Sequence, residues 1–250
     1  MTKRAIFTVG NNPQRGFEPY HERFHRTFTQ YAGDASIRQW DKSWPPGSPT
    51  HGEVHYAFKV YAFLDAIRHG ATTLLWCDVS CYAVKSLEPM WAAIEERGWF
   101  LAGEPPLDPE TGFVANPEHS MDRLGCWSSD RSLAEFRLSR DDAMKVTLLS
   151  GTCIGLDVTR AKSRLFLDRL TGYAQQPGHY NGTHASGLFG PPHLPEGKQV
   201  SSDPRVAGHR SDEVYMTLIA RDLKMTSSGE MFTGGNAEKP STIIKSGYNL

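Results

Sequence analysis

Apolar residues along this chain come in short blocks, and the spacing inside each block shifts between continuous and every three or four residues. Ala5-Ile6-Phe7-Thr8-Val9 is a brief β-prone run that stops at Gly10-Asn11-Asn12-Pro13, the pattern of a buried first strand ending in a loop. From Pro19 to Tyr31, the residues Tyr20, Phe24, Phe28 and Tyr31 recur at spacings of four, four and three, which predicts a helix. Trp40 to Gly52 is rich in Pro, Gly, Ser and Trp and reads as a loop. A second helical stripe, His55 to His69, passes through Phe58, Tyr61, Ala62, Leu64 and Ile67 and ends at Gly70. The clearest strand follows, Thr72-Thr73-Leu74-Leu75-Trp76-Cys77. Its last four residues are apolar without a break, as expected for a strand covered on both faces, and it ends at Asp78.

A helix from Leu87 to Arg97 is stopped by Gly98, and Trp99-Phe100-Leu101-Ala102 is another short strand. Helix and strand thus alternate, which predicts an α/β fold with an open, mostly parallel central sheet flanked by helices. Residues 104–142 mix turn residues and charges. Two strand-like stretches, Val146 to Leu149 and Cys153 to Leu156, flank Gly151, and a helix runs from about Thr159 to Tyr173. Residues 176–208 hold most of the late Pro, Gly and His and read as a long irregular segment. A last helix spans Ser211 to Leu223, and from Ser227 onward the chain reads as a polar tail.

At 250 residues the chain suits one large α/β domain. With 39% hydrophobic and 22% charged residues it has material for a core and no bias towards disorder. A net charge of −1 and the absence of a long Lys/Arg block leave nothing that demands a nucleic acid or an anionic membrane as partner. Cys77, Cys81, Cys126 and Cys153 lack the doubled tight spacing of a zinc ribbon and read as reduced, partly buried thiols. The apolar run after Met1-Thr2-Lys3-Arg4 is too short for a signal-peptide core, and no run approaches a membrane span, so a cytoplasmic location is expected.

Asp78 draws attention first, because a carboxylate directly after a buried strand lies at the carboxyl edge of the sheet, where open α/β sheets bind ligands. It suits a cation or a ligand hydroxyl there; it equally suits a cap on the turn that follows. Tyr61-Ala62-Phe63-Leu64-Asp65-Ala66, then Gly70, then Leu74-Leu75-Trp76-Cys77-Asp78-Val79-Ser80, then Leu87, resembles the central segment of GT-A-fold glycosyltransferases. In that family a strand ends in an Asp-x-Asp motif that binds a divalent metal and the diphosphate of a nucleotide sugar. This chain departs from the motif: its second position is Ser80, a poor direct metal ligand.

The resemblance extends in patches from about residue 5 to 225. His209-Arg210-Ser211-Asp212-Glu213 looks like the family's late His-Arg-x-Asp-Gln segment, with Glu213 where Gln is commoner. The alternative is a plain helix start, with Ser211 as cap and two acids in the first turn. Thr8-Val9-Gly10-Asn11 is similar to the family's first strand and loop, which contact base and ribose. Lys59 falls where a basic residue can reach the phosphates, and is otherwise a solvated helix lysine. Ser150-Gly151-Thr152 falls where small residues lie beside the donor sugar, although packing explains Gly151 equally well.

What the resemblance implies is a single GT-A-like domain over residues 1–250, with a nucleotide-sugar-binding half over about 5–102, an acceptor-side half over about 103–225 and a tail over 226–250. The expected activity is that of a hexosyltransferase-like glycosyltransferase. Asp212 is the expected catalytic base. Thr8, Val9, Gly10, Asn11, Lys59, Asp78, Ser80, Gly151 and Glu213 are the expected donor-binding residues. A divalent cation, Mn or Mg, is expected at Asp78, with a UDP-sugar as donor. The acceptor is a hydroxyl on a glycan, a protein, a small molecule or a modified DNA base.

Two other classes stand beside this one. The Asp-x-Ser departure is compatible with a non-catalytic nucleotide-sugar-binding protein. The ten histidines, among them His51 with His55 and the loose group His179, His184 and His193, raise a metal-dependent hydrolase. Trp40, Trp44 and Trp127 offer aromatic faces on which sugar rings could pack.

Overall fold

The computed structural model describes residues 3–11, 16–103, 123–176, 178–180, 200–228, 231–234 and 239–247. Its centre is a five-stranded sheet in the order β2-β1-β3-β6-β5, formed by β1 (Arg4–Val9), β2 (Ser36–Trp40), β3 (Thr73–Cys77), β5 (Trp99–Leu101) and β6 (Cys153–Asp157). β1 pairs in parallel with both β2 and β3. β6 runs antiparallel to β3 and β5, so four of the five strands point the same way. The expected mostly parallel α/β sheet is therefore present, with one reversed strand inside it.

Side-chain alternation along the strands assigns two faces. Phe7, Val9, Leu74, Trp76, Ile154 and Leu156 enter one core with Phe63 of α2 (Phe58–Arg68), Phe166 of α7 (Ala161–Gln175) and Ile219 of α8 (Ser211–Asp222). Ile6, Leu75, Cys77 and Cys153 enter the opposite core with Phe24 and Phe28 of α1 (Glu18–Tyr31) and Trp91 and Ile94 of α3 (Glu88–Arg97). β3 is thus covered on both sides, which is why it reads as an unbroken apolar run. α1 carries the chain from β1 to β2 on one side of β1, and α2 carries it on to β3 on the other side. The connections diverge between β1 and β3, which makes their carboxyl ends the topological switch point of the sheet.

Several elements differ from the sequence reading. β2 has only Ile37 and Trp40 as apolar residues and is half-exposed at the sheet's edge, so it carries no strong strand signal. Val146 to Leu149 is not a strand. Thr147 makes a single bridge to Arg123, while Val146 and Leu148 pack with Leu124, Trp127, Val214 and Leu218 in a third core. Short helices α4 (Leu124–Trp127), α5 (Asp130–Glu135) and α6 (Arg140–Ala143) build that core. α2 begins at Phe58 rather than His55, because Tyr56 adopts the left-handed conformation at φ 60°. Much of the 176–208 segment, including His184 and His193, lies outside the described residues.

Residues read as a polar tail contribute a second sheet. β8 (Ile244–Ser246) lies between β4 (Cys81–Ala83), antiparallel to it, and β7 (Phe232–Gly234), parallel to it. Ile243 and Ile244 are buried in the α1/α3 core. Arg23 ties the segment down by donating to the carbonyls of Ser80 at 2.9 Å and Gly247 at 2.6 Å. Among the described residues, no helix is long and apolar enough to cross a membrane. Replacing Ile244 with Ala should cost about 2–5 kcal/mol of unfolding free energy, read as a lower urea midpoint at unchanged slope.

Candidate functional site

Four separate parts of the chain meet at the switch point. β3 ends at Cys77 and passes directly to Asp78, whose N–H donates to the carbonyl of Thr152 at 2.9 Å. Cys77 lies opposite Cys153 in the β3–β6 register. The antiparallel β6 therefore starts where β3 stops, and its leading loop, Gly151-Thr152, is set beside Asp78. α2 supplies Lys59 from its first turn, and α8 supplies Asp212 and Glu213 from its own.

Lys59 joins these parts. Its Nζ lies 2.8 Å from Asp212 Oδ2 and 3.5 Å from Asp78 Oδ1, and it donates to the Gly151 carbonyl at 2.9 Å. That carbonyl and Asp78 Oδ1 also accept from the indole Nε1 of Trp76, each at 3.1 Å. Trp76 stands two residues before Asp78, so the strand's alternation presents both on the same side. The Gly151 N–H donates to Glu213 Oε1 at 3.0 Å, and Arg210 Nη1 donates to Glu213 Oε2 at 3.2 Å. The Arg210 guanidinium lies over the Trp127 ring at 4.3 Å. Gly151 has no room for a side chain: a Cβ there would come within 2.7 Å of Asp212 Oδ2 and 2.8 Å of Lys59 Nζ.

Electrostatics follow from burial. The Lys59 side chain is 6% exposed; burial opposes its charge, but Asp212 and Asp78 outweigh burial and raise the ammonium's pKa. Asp78 keeps 33% of its side-chain surface open, yet its surroundings raise its pKa through desolvation, against the pull of Lys59. Desolvation also raises Glu213, with the Asp212 charge adding to it and Arg210 opposing it. Tyr56 belongs to the same cluster. Its ring lies 5.1 Å from Lys59 Nζ, and burial, followed by the Asp212 charge, raises its phenol.

The other expected residues are taken up by packing or by contacts within the protein. Thr8 is fully buried, with no hydrogen-bond partner for its hydroxyl among the described residues, and Val9 is a core residue. Gly10 is required by packing, since a Cβ would meet His21 Nε2 at 2.5 Å and Val79 Cγ2 at 3.1 Å. Asn11 is half-buried beside it. The Ser80 hydroxyl bonds Ser246 Oγ at 3.0 Å in the second sheet. Lys59, expected to reach phosphates, has three acceptors around its ammonium and almost no exposure. His209 is buried and neutral, its pKa lowered by desolvation. Its Nδ1 accepts from the Ser129 N–H at 3.3 Å and its Nε2 faces the His179 carbonyl at 3.0 Å. Trp44 packs on Phe58 and Trp127 under Arg210, so these two indoles serve different cores.

Sequence reasoning did not single out Trp76, Tyr56 or Arg210 as site residues. For Trp76 the signal was available in its two-residue spacing from Asp78; for Arg210 it was masked by the acids that follow it. Among the described residues, no three His, Cys, Asp or Glu side chains are grouped so as to hold a metal ion. Asp78 does fit a cation shared with a ligand: its described contacts all fall on Oδ1, and a third of the side chain is open. Mg²⁺ in particular is commonly held by one or two carboxylates together with substrate phosphates.

No protein-family model matches the chain, and no curated protein matches it. Among solved structures it is similar to mouse xyloside xylosyltransferase 1, at 7% identity over 99% of this chain and 98% of that one, with a TM-score of 0.49. It is also similar to a glycosyltransferase involved in glycosylation of the major capsid of PBCV-1, at 8% identity over 72% of this chain and 70% of that one, with a TM-score of 0.40.

Replacing Lys59 with Met leaves Asp212 charged in a buried place without its partner, and should cost about 3–5 kcal/mol in urea unfolding. Adding Asp212→Asn should recover more than half of that loss; no recovery would mean that the ion pair is not what holds the site together. Asp78 gives a pH signature. Its folded pKa lies above the unfolded value, so the unfolded chain ionises first and the Asp78 contribution to stability is lost as pH rises through the folded pKa. Asp78→Asn should therefore melt above wild type at pH 7.5, with the gap closing below the ordinary carboxyl range, as read by thermal denaturation across pH.

Proposed function

We propose that this protein is a glycosyltransferase that moves a sugar from a nucleotide-diphosphate donor to a hydroxyl acceptor. One observation carries the reading: a partly open carboxylate, Asp78, stands at the switch point of an α/β sheet and is joined through Lys59 and Gly151 to two acids on α8. That arrangement supplies a donor side and an acceptor side within one connected set of side chains. The likeness of the Asp78 strand and the His209–Glu213 segment to GT-A enzymes supports the same reading.

In such a transfer the acceptor oxygen bonds the anomeric carbon, the bond from that carbon to the phosphate oxygen breaks, and the acceptor's proton passes to a base. Asp212 was the expected base. Its side chain is 9% exposed and held by Lys59, so its role here is to fix the ammonium. Glu213 suits the proton better, because its side chain is 18% exposed and desolvation raises its carboxyl towards the range of a working base. A divalent cation, Mn or Mg, would be held by Asp78 and would neutralise the leaving diphosphate. A UDP-sugar is the preferred donor within this reading. The acceptor class, a glycan, protein, small molecule or modified base hydroxyl, is defined only by that hydroxyl.

Purified protein mixed with UDP-, GDP- and TDP-sugars should release nucleotide from one of them, measured by coupled assay with and without Mn²⁺ or Mg²⁺. Asp78→Ala should reduce release by at least about 10²-fold, the scale of losing one preorganised electrostatic group. Full release from Asp78→Ala would remove the site assignment, whereas binding of the donor without turnover under any acceptor would favour the non-catalytic binder.

A further inference from the structure

The carboxylate cluster poses a charge problem for an anionic donor. Asp78, Asp212 and Glu213 carry three formal negative charges against the two positive charges of Lys59 and Arg210. Lys59 is not available to a newcomer, because Asp212, Asp78 and the Gly151 carbonyl surround its ammonium. Arg23 of α1, a buried guanidinium, is tied to the carbonyls of Ser80 and Gly247.

Arg210 differs from both. Its side chain is 28% exposed, and its one described side-chain hydrogen bond is from Nη1 to Glu213, at 3.2 Å. Its Cζ lies 4.3 Å from the centroid of the Trp127 ring, a cation–π contact that holds the guanidinium in place without using its hydrogen-bonding capacity. Among the described residues that single long contact uses one of the guanidinium's five N–H groups, so most of its donor capacity is not committed there. The flat fork is also the geometry that matches phosphate oxygens.

We propose that Arg210 is the residue that receives the donor's diphosphate, and that it does so by leaving Glu213. This rests on the glycosyltransferase reading above. Glu213 stays anchored by the Gly151 N–H when Arg210 departs, so its carboxylate keeps its place while losing its counter-ion. Donor binding and the release of a base for the acceptor proton then become one event. An acceptor arriving without donor meets a Glu213 still paired with Arg210. Arg210 is a donor-binding residue in this scheme and takes no proton itself.

Calorimetry on the full chain tests the assignment, with UDP, GDP, TDP and inorganic pyrophosphate as probes and the corresponding nucleosides as controls. Arg210→Ala should weaken the diphosphate that wild type binds, and pyrophosphate, by about 10- to 100-fold, and leave the nucleoside unchanged. Arg210→Lys should restore part of the loss. Glu213→Gln, which frees the guanidinium in advance, should tighten the same diphosphate, and that gain should vanish when Arg210→Ala is added. Should Arg210→Ala fail to fold, the Glu213→Gln gain and its partial survival with Arg210→Lys carry the test. Unchanged diphosphate affinity in folded Arg210→Ala, or no gain in Glu213→Gln, overturns the role of Arg210 and leaves sugar transfer standing. If wild type binds none of the diphosphates and releases no nucleotide from any sugar donor, the proposal falls together with the activity it rests on.

Discussion

A single buried ammonium holds this structure's working end together. Lys59 of α2 contacts a carboxylate after β3, a carbonyl before β6 and a carboxylate at the start of α8. Those segments are far apart in sequence, and hydrophobic packing alone would bring their helices and strands near one another without fixing the polar ends. A charged amine enclosed by protein tolerates few arrangements, since losing its close partner Asp212 would leave a desolvated charge poorly compensated. The same demand explains why Gly151 lacks a side chain, because a methyl group there would occupy the space of the ion pair. It also accounts for the Trp76 indole, which shares two of the acceptors that Lys59 uses.

The sheet gives this ammonium its setting. Because β6 runs against β3, its leading loop returns to the edge where β3 delivers Asp78. A fully parallel strand at that position would have brought its far end there instead. The reversed strand is thus a condition for placing Gly151 and Asp78 in one cluster, and the divergence of connections at β1 and β3 keeps that edge clear of crossover helices.

Much of this was legible in the amino-acid order. The β3 run, the α2 and α8 stripes and the position of Asp78 followed from apolar spacing, because those elements are covered by protein and must be apolar on the covered side. Lys59, Asp78, Gly151, Asp212 and Glu213, read one at a time, do meet in space. Their partners could not be read, since an ion pair between residues 59 and 212 leaves no local periodic trace. β2 was missed because an edge strand needs few apolar residues, and β8 because three residues are too short for a pattern. The Val146–Leu149 stretch misled for the opposite reason: its apolar residues fill a small helical core rather than a ladder. Thr8 and Gly10 matched a ligand-binding pattern, and in the structure Thr8 is buried and Gly10 packs against His21, contacts the local sequence does not announce.

The pairing of β4 with β8 has a consequence for how the protein comes into being on the ribosome. The turn after Asp78 is completed by a strand more than 160 positions later, through Ser80 with Ser246 and Cys81 with its register partner. Domains generally gain structure as units while synthesis proceeds from the N-terminus. All five strands of the central sheet precede residue 158, so each of them is synthesised well before the strand that braces that turn. Until the segment around residue 246 emerges, one side of the site is left without the strand that closes it.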